Sequence, residues 1–187
     1  IKQFLTTQDL NSIRQQLKQS QWEDGKESAF GVAKNVKNNL QASLNEGNGL
    51  QLANMLLSKM GNHPEVVSAA LPQRIFPPRI NRYGEGQEYG FHVDAAIMSI
   101  PGTREVMRSD VSMTIFLNEP EQYEGGELCI NSAFGMQRVK LAAGDAVVYP
   151  SASLHCVSPV TRGERVAAIS WIQSMIPDAN IREQLYN

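Results

Sequence analysis

The chain is poor in the residues that mark many specialised architectures. Among its 187 residues there are two cysteines, Cys129 and Cys156, too few for a disulfide framework and not spaced as a C-x-x-C pair. That scarcity points to a reducing, cytoplasmic setting. Neither sign of charge is in excess: 17 Lys and Arg stand against 19 Asp and Glu, for a net charge of −2. The basic footprint of a nucleic-acid or anionic-membrane binder is therefore missing. Long apolar runs are missing too. The uncharged stretch 146–160 is interrupted by Pro150, His155, Pro159 and several serines, whereas a spanning helix needs about 18 apolar residues in a row. Residues 1–9 carry no apolar signal core. What remains is 42% hydrophobic and 19% charged, the composition of a folded globular protein rather than a disordered one.

At roughly 150 residues per domain, the length predicts a single domain over 1–187. Residues 1–70 read as a helical part. Thr7 is the expected cap of a first helix with Leu10, Ile13 and Leu17 at helical spacing. A second helix is expected over 49–60, stopped by Gly61, and a third over 64–70 starting at Pro64. From 71 to 176 the texture changes to short strand-like runs separated by Gly, Pro, Asn and Asp. Strands are expected at 74–83, 89–94, 111–117, 127–130, 138–141, 146–149, 155–157 and 166–173. Eight strands suit a double-stranded β-helix, or jelly roll, with the N-terminal helices packed on it. The fold class is thus mainly β with flanking helices (α+β), and 177–187 reads as the start of a C-terminal helix.

With three histidines in the chain, each is judged alone. His63 lies in an Asn-His-Pro turn and reads as an exposed residue near a helix start. His92 and Asp94 form a His-x-Asp, and on a strand residues two apart share a face, so an imidazole and a carboxylate enter one cavity. His155 follows 61 residues after Asp94, where a jelly roll brings a late strand beside an early one. Two histidines and a carboxylate on one side of a metal make the facial triad of non-haem Fe(II) oxygenases.

A chelating co-substrate needs a counter-charge at its far end. Arg165 opens a strand whose same-face companions are Ala167, Ile169 and Trp171, and a lone guanidinium on an apolar face calls for a carboxylate. Arg162, in Thr-Arg-Gly-Glu, is assigned to a solvated turn. Gly125-Gly126 reads as a turn or bulge, and Cys156 as a small buried residue on the strand face opposite His155. Arg104 and Arg108 read as surface charges on a 94–110 loop that helps to cover the mouth of the site.

These positions carry a resemblance that runs from Val36-Lys37-Asn38-Asn39 to Trp171-Ile172-Gln173-Ser174-Met175. It includes Asn-Arg-Tyr at 81–83, Tyr-Gly-Phe-His-Val-Asp at 89–94, Gly-Gly-Glu-Leu at 125–128 and Gly-Asp-Ala-Val-Val-Tyr-Pro-Ser at 144–151. The block from Leu154 to Val166, centred on His155 and Arg165, is the most specific. The chain resembles the Fe(II)/2-oxoglutarate dioxygenases of the prolyl/lysyl hydroxylase-like group, and among them the bacterial PKHD-type hydroxylases. The resemblance implies Fe(II) on His92, Asp94 and His155, and the distal carboxylate of 2-oxoglutarate on Arg165. It also implies a co-substrate role for Tyr83, where related hydroxylases keep a tyrosine. Ser112, Thr114 and Phe116 share one strand face; some animal relatives have a tyrosine near the Phe116 position, and Thr114 is the expected substitute for its hydroxyl. The expected reaction consumes O2 and 2-oxoglutarate, releases succinate and CO2 and hydroxylates a small-molecule or peptidyl substrate, with L-ascorbate as an accessory reductant. Two alternatives stand beside it: a cupin-like metalloenzyme, disfavoured because cupins usually present His-x-His, and a non-catalytic jelly roll that senses iron or a ligand.

Overall fold

A computed structural model describes residues 1–28, 31–43 and 47–186. Helix α1 (Thr7–Leu17) is capped by Thr6, one residue earlier than the sequence suggests, because Asp9 completes a reciprocal box. The Asp9 amide donates to Thr6 Oγ1 at 3.2 Å and the Thr6 amide donates to Asp9 Oδ2 at 2.8 Å, an arrangement worth about 1 kcal/mol. Strand β1 (Trp22–Asp24), helix α2 (Val32–Asn35), β2 (Lys37–Asn38) and β3 (Leu40–Ala42) follow. The N-terminal part is thus not helical throughout: three strands of two or three residues lie within it, too short to show a period of two. Helices α3 (Gly47–Asn62) and α4 (Pro64–Ala70) come next, α4 with the expected bounds.

The expected strand 74–83 is two strands, β4 (Pro72–Ile75) and β5 (Arg79–Tyr83), because Pro77 and Pro78 have no amide hydrogen to give to a ladder. The chain continues through β6 (Glu88–His92), β7 (Ile97–Ser99), β8 (Val106–Arg108), β9 (Val111–Phe116), β10 (Tyr123–Gly125), β11 (Leu128–Ser132) and β12 (Gly135–Val139). It ends with β13 (Ala146–Pro150), β14 (His155–Val157), β15 (Val160–Gly163), β16 (Arg165–Ser174) and helix α5 (Ala179–Tyr186). Asn187, part of the expected C-terminal helix, lies outside the described residues. The 94–110 segment is not a plain loop, since β7 and β8 pair within it.

Apart from the separate two-stranded ribbons β7-β8 and β10-β15, twelve strands form the two antiparallel sheets of a jelly roll. The larger has the order β1-β3-β5-β16-β9-β13, with β4 also on β16, and the smaller has the order β12-β11-β14-β6-β2. Alternation along the larger sheet separates its two faces. Ile80, Met113, Ile115, Ala168 and Ile172 point to the helices and share one core with Leu10, Ile13, Leu52, Leu56, Met60 and Val66. Residues at the alternate strand positions, Arg79, Asn81, Tyr83, Thr114, Arg165, Ile169 and Trp171, line a cavity on the other face. Burying each large aliphatic side chain stabilises the fold by roughly 1.5–3 kcal/mol, so the helical layer makes the site-bearing sheet rigid.

Candidate active site

The cavity measures about 410 Å3 and is walled by both sheets and by the β7 segment, which contributes Ile97, Met98 and Ser99 at its mouth. Pairing of β14 with β6 sets His155 directly opposite His92, with ring centroids 4.3 Å apart. Strand β6 ends at His92, so Asp94 lies just beyond the ladder rather than on it. Its Oδ1 is nevertheless 3.9 Å from His92 Nε2 and 3.8 Å from His155 Nε2. Among the described residues, His92, Asp94 and His155 form the one cluster of three candidate metal ligands, with all three donor atoms within 4.8 Å of one another.

The surroundings of the triad suit a divalent ion. His92 Nδ1 is 2.7 Å from Gly90 O and His155 Nδ1 is 2.9 Å from Ser153 O. Each Nδ1–H therefore donates to a carbonyl, and each Nε2 lone pair faces the cavity. Burial, reinforced by the neighbouring His155, lowers the His92 pKa to about 4, which keeps the imidazole neutral as a ligand requires. Ser112 Oγ donates to the other oxygen of Asp94 at 2.6 Å, with Ser151 Oγ 2.8 Å behind it. Tyr89 stacks on His92 at 3.6 Å, and Tyr149 meets His155 edge-on at 5.3 Å.

At the inner end, Arg165 is 1% exposed, and Nε, Nη1 and Nη2 all lack a hydrogen-bond partner. Its guanidinium lies 5.4 Å from the Tyr83 ring and 5.5 Å from the Phe116 ring. The Tyr83 hydroxyl is likewise buried and unpartnered, and burial pushes its pKa up to about 12, so it remains a donor at neutral pH. Thr114 is buried and lines the same cavity. A desolvated guanidinium beside an unpartnered hydroxyl is a costly arrangement that a carboxylate ligand relieves.

Glycine makes this end possible. Gly125 and Gly126 have φ of +68° and +62°, and the β10–β15 register shifts between Glu124 and Gly125, as a bulge requires. A Cβ on Gly126 would meet Val160 Cγ2 at 3.0 Å and both Arg165 Cδ and Tyr123 Cδ2 at 3.1 Å. The bulge expected from the glycine pair is present, and Gly126 additionally leaves room for the arginine stem.

Of the six residues singled out in the sequence, His92, Asp94, His155, Tyr83, Thr114 and Arg165 all line this one cavity. Arg162 is exposed as expected, but it lies on β15 and pairs with Glu124 at 2.7 Å instead of standing free in a turn. His63 is not exposed: it is half-buried against Phe4, 5.2 Å between centroids. Arg108 is partly exposed, its side chain 38% accessible, and is also tied to Asp110 and to the Ser174 carbonyl. Cys156 is buried, and its register partner on β11 is Cys129. Lys37, Arg79 and Tyr149 also line the cavity without having been singled out. A broader cleft of about 790 Å3 beside Lys2, Glu65 and Arg182 has no comparable ligand cluster among the described residues.

Residues 78–173 match the family described as the 2OG-Fe(II) oxygenase superfamily. A PKHD-type hydroxylase of Shewanella frigidimarina is 59% identical over 186 residues, covering 100% of this chain and 82% of the relative. A solved prolyl hydroxylase from Trichoplax adhaerens, in complex with a hypoxia inducible factor peptide fragment, has a TM-score of 0.68 at 15% identity, over 100% of this chain and 86% of that one. A Pseudomonas putida prolyl-4-hydroxylase has a TM-score of 0.63 at 19% identity, over 92% of this chain and 90% of that one. The two solved structures share the fold, and the curated relative aligns with the whole of this chain over 82% of its own length. The chain belongs to the 2OG-Fe(II) oxygenase superfamily and, within it, to the PKHD-type hydroxylases.

Proposed function

We propose that this hydroxylase holds Fe(II) on His92 Nε2, Asp94 Oδ1 and His155 Nε2, and seats 2-oxoglutarate with its distal carboxylate on Arg165. Bound there, the metal supplies the site at which O2 and 2-oxoglutarate react, giving succinate, CO2 and a hydroxylated substrate. The protein's own contribution is orientation. Ser112 fixes the Asp94 carboxylate, the Gly90 and Ser153 carbonyls fix the two imidazoles, and Tyr83 and Thr114 assist Arg165 from β5 and β9. The aromatic walls of Tyr83, Tyr149 and Trp171 exclude water. The observation that carries the reading is a buried, unpaired Arg165 in the same cavity as the triad.

Membership in the superfamily answers the cupin-like and sensor alternatives. L-ascorbate is proposed as the accessory reductant on the family likeness alone. The proposed setting is the cytoplasm, supported by two free thiols; among the described residues no helix is long and apolar enough to cross a membrane. The proposed partner is a small-molecule or peptidyl substrate rather than nucleic acid or a membrane.

Equilibrium Fe(II) binding to Asp94→Ala tests the metal assignment. Loss of the charged ligand should weaken Fe(II) by about tenfold or more, while His63→Ala should bind as the parent does. Unchanged affinity in D94A would remove the triad from the account.

A further inference from the structure

The cavity holds more positive charge than iron and 2-oxoglutarate require. Fe(II) and the 2-oxoglutarate dianion cancel, and so do Asp94 and Arg165, which leaves two further cations in the wall, Lys37 and Arg79. Lys37 is 5% exposed. Its Nζ donates to Ser28 Oγ at 2.8 Å and lies 5.3 Å from the Tyr89 ring, with no carboxylate partner among the described residues. Arg79 has a buried, unpartnered Nε, and its guanidinium sits 5.5 Å from the Phe76 ring. Trp171 adds a second unpartnered donor, its buried Nε1.

These groups are remote from the end that takes 2-oxoglutarate. Arg165 is in register with Tyr83, and Arg79 with Ile169, four residues further along β16. At about 3.3 Å per residue the two arginine positions are roughly 13 Å apart along the sheet, too far to share one carboxylate. Lys37 lies on the metal side of the cavity, since the Tyr89 ring beneath it stacks on His92. Burial, with the repulsion of Arg79 added and the attraction of Asp94 and Asp24 opposing it, lowers the Lys37 pKa to about 7, as befits two cations facing one desolvated cavity.

We infer that Lys37 and Arg79 form the anchor for a carboxylate of the prime substrate, so that this hydroxylase acts on an acidic molecule or an acidic residue. The inference rests on the dioxygenase reading above. The substrate carboxylate lies between the ammonium and the guanidinium, with Trp171 Nε1 as a further donor, and the adjoining carbon chain is directed toward the metal side. A neutral substrate leaves two cations desolvated and unpaired, which makes the anchor selective as well as attractive.

The test uses a probe independent of the natural substrate: propionate, with propionamide as its uncharged isostere. The protein is loaded with redox-inert, paramagnetic Mn(II) and saturating 2-oxoglutarate, and relaxation of the probe's protons by the metal is followed by NMR. Saturable relaxation of propionate but not propionamide is expected. Lys37→Gln and Arg79→Gln should each weaken it by about tenfold or more, and Arg79→Lys should restore part of it. Affinity for 2-oxoglutarate in the glutamine variants should stay within about twofold. Equal relaxation of acid and amide, no saturable relaxation, or full retention in both glutamine variants would overturn the anchor. A loss of 2-oxoglutarate affinity in those variants would also overturn it, by giving Lys37 and Arg79 to the co-substrate. Failure of the parent protein to bind 2-oxoglutarate would instead remove the dioxygenase site, and the anchor with it.

Discussion

Ser112 Oγ stands 2.6 Å from Asp94 Oδ2, so one carboxylate oxygen is held by a β9 hydroxyl while the other faces both imidazoles. A hydrogen bond to a charged group is worth about 1.5–3 kcal/mol, and loss of such a partner typically costs 10–100-fold in metal affinity. Ser112→Ala should therefore weaken Fe(II) binding by about tenfold or more without unfolding the sheet. Competition with a metal-sensitive chelator reads this directly, and parent-like affinity would show that Asp94 needs no such support.

Gly126 presses on Arg165, and substitution there should be felt at the co-substrate end. Gly126→Ala places a Cβ 3.1 Å from Arg165 Cδ at φ +62°, combining backbone strain of about 1 kcal/mol with displacement of the guanidinium. Gly102→Ala has a similar φ of +75° and nothing within 4 Å. Both variants should lose a little thermal stability, but only G126A should bind 2-oxoglutarate more weakly. Equal affinities in the two would mean that the contact does not position Arg165.

Lys37 should make the protein's stability depend on pH in a particular direction. The folded-state pKa of about 7 lies below the ordinary lysine value of 10.5, so between these values the unfolded chain holds a proton that the folded one has released. Stability then rises with pH across that window, and the cost of the buried charge is fully present below it. Lys37→Met should therefore be more stable than the parent near pH 6.5, by about 1 kcal/mol or more, with the difference shrinking toward pH 10. Denaturant midpoints at both ends of the window check it; a constant difference would mean that the charge carries no such cost.

How far the site was legible depended on how local its signals are. His92 and Asp94 share a cavity because two positions along a strand return to the same face, and Arg165 declared itself as a charge amid Ala167, Ile169 and Trp171. The pairing of His155 with His92, by contrast, is a contact across 63 residues that no local pattern encodes; it followed from the jelly-roll reading. Ser112 was visible as a member of a strand face, but its hydrogen bond depends on where the chain leaves β6. Lys37 was hidden because a two-residue strand has no measurable period, within a segment dominated by helical spacing. Arg79 was hidden by Pro77 and Pro78, which split what reads as one strand and fix its start at Arg79.

The account turns on Arg165 as the partner of 2-oxoglutarate, and Arg162 is its natural control, being exposed and already paired with Glu124 at 2.7 Å. Anaerobic titration of 2-oxoglutarate into the Fe(II)-loaded protein, Arg165→Ala and Arg162→Ala compares them under one condition. Removing a charge-assisted contact from a desolvated site should cost roughly 2–5 kcal/mol, an affinity loss of about 30-fold or more. R165A should show that loss and R162A a change within about twofold. Parent-like binding by R165A, with or without a loss in R162A, would contradict the account.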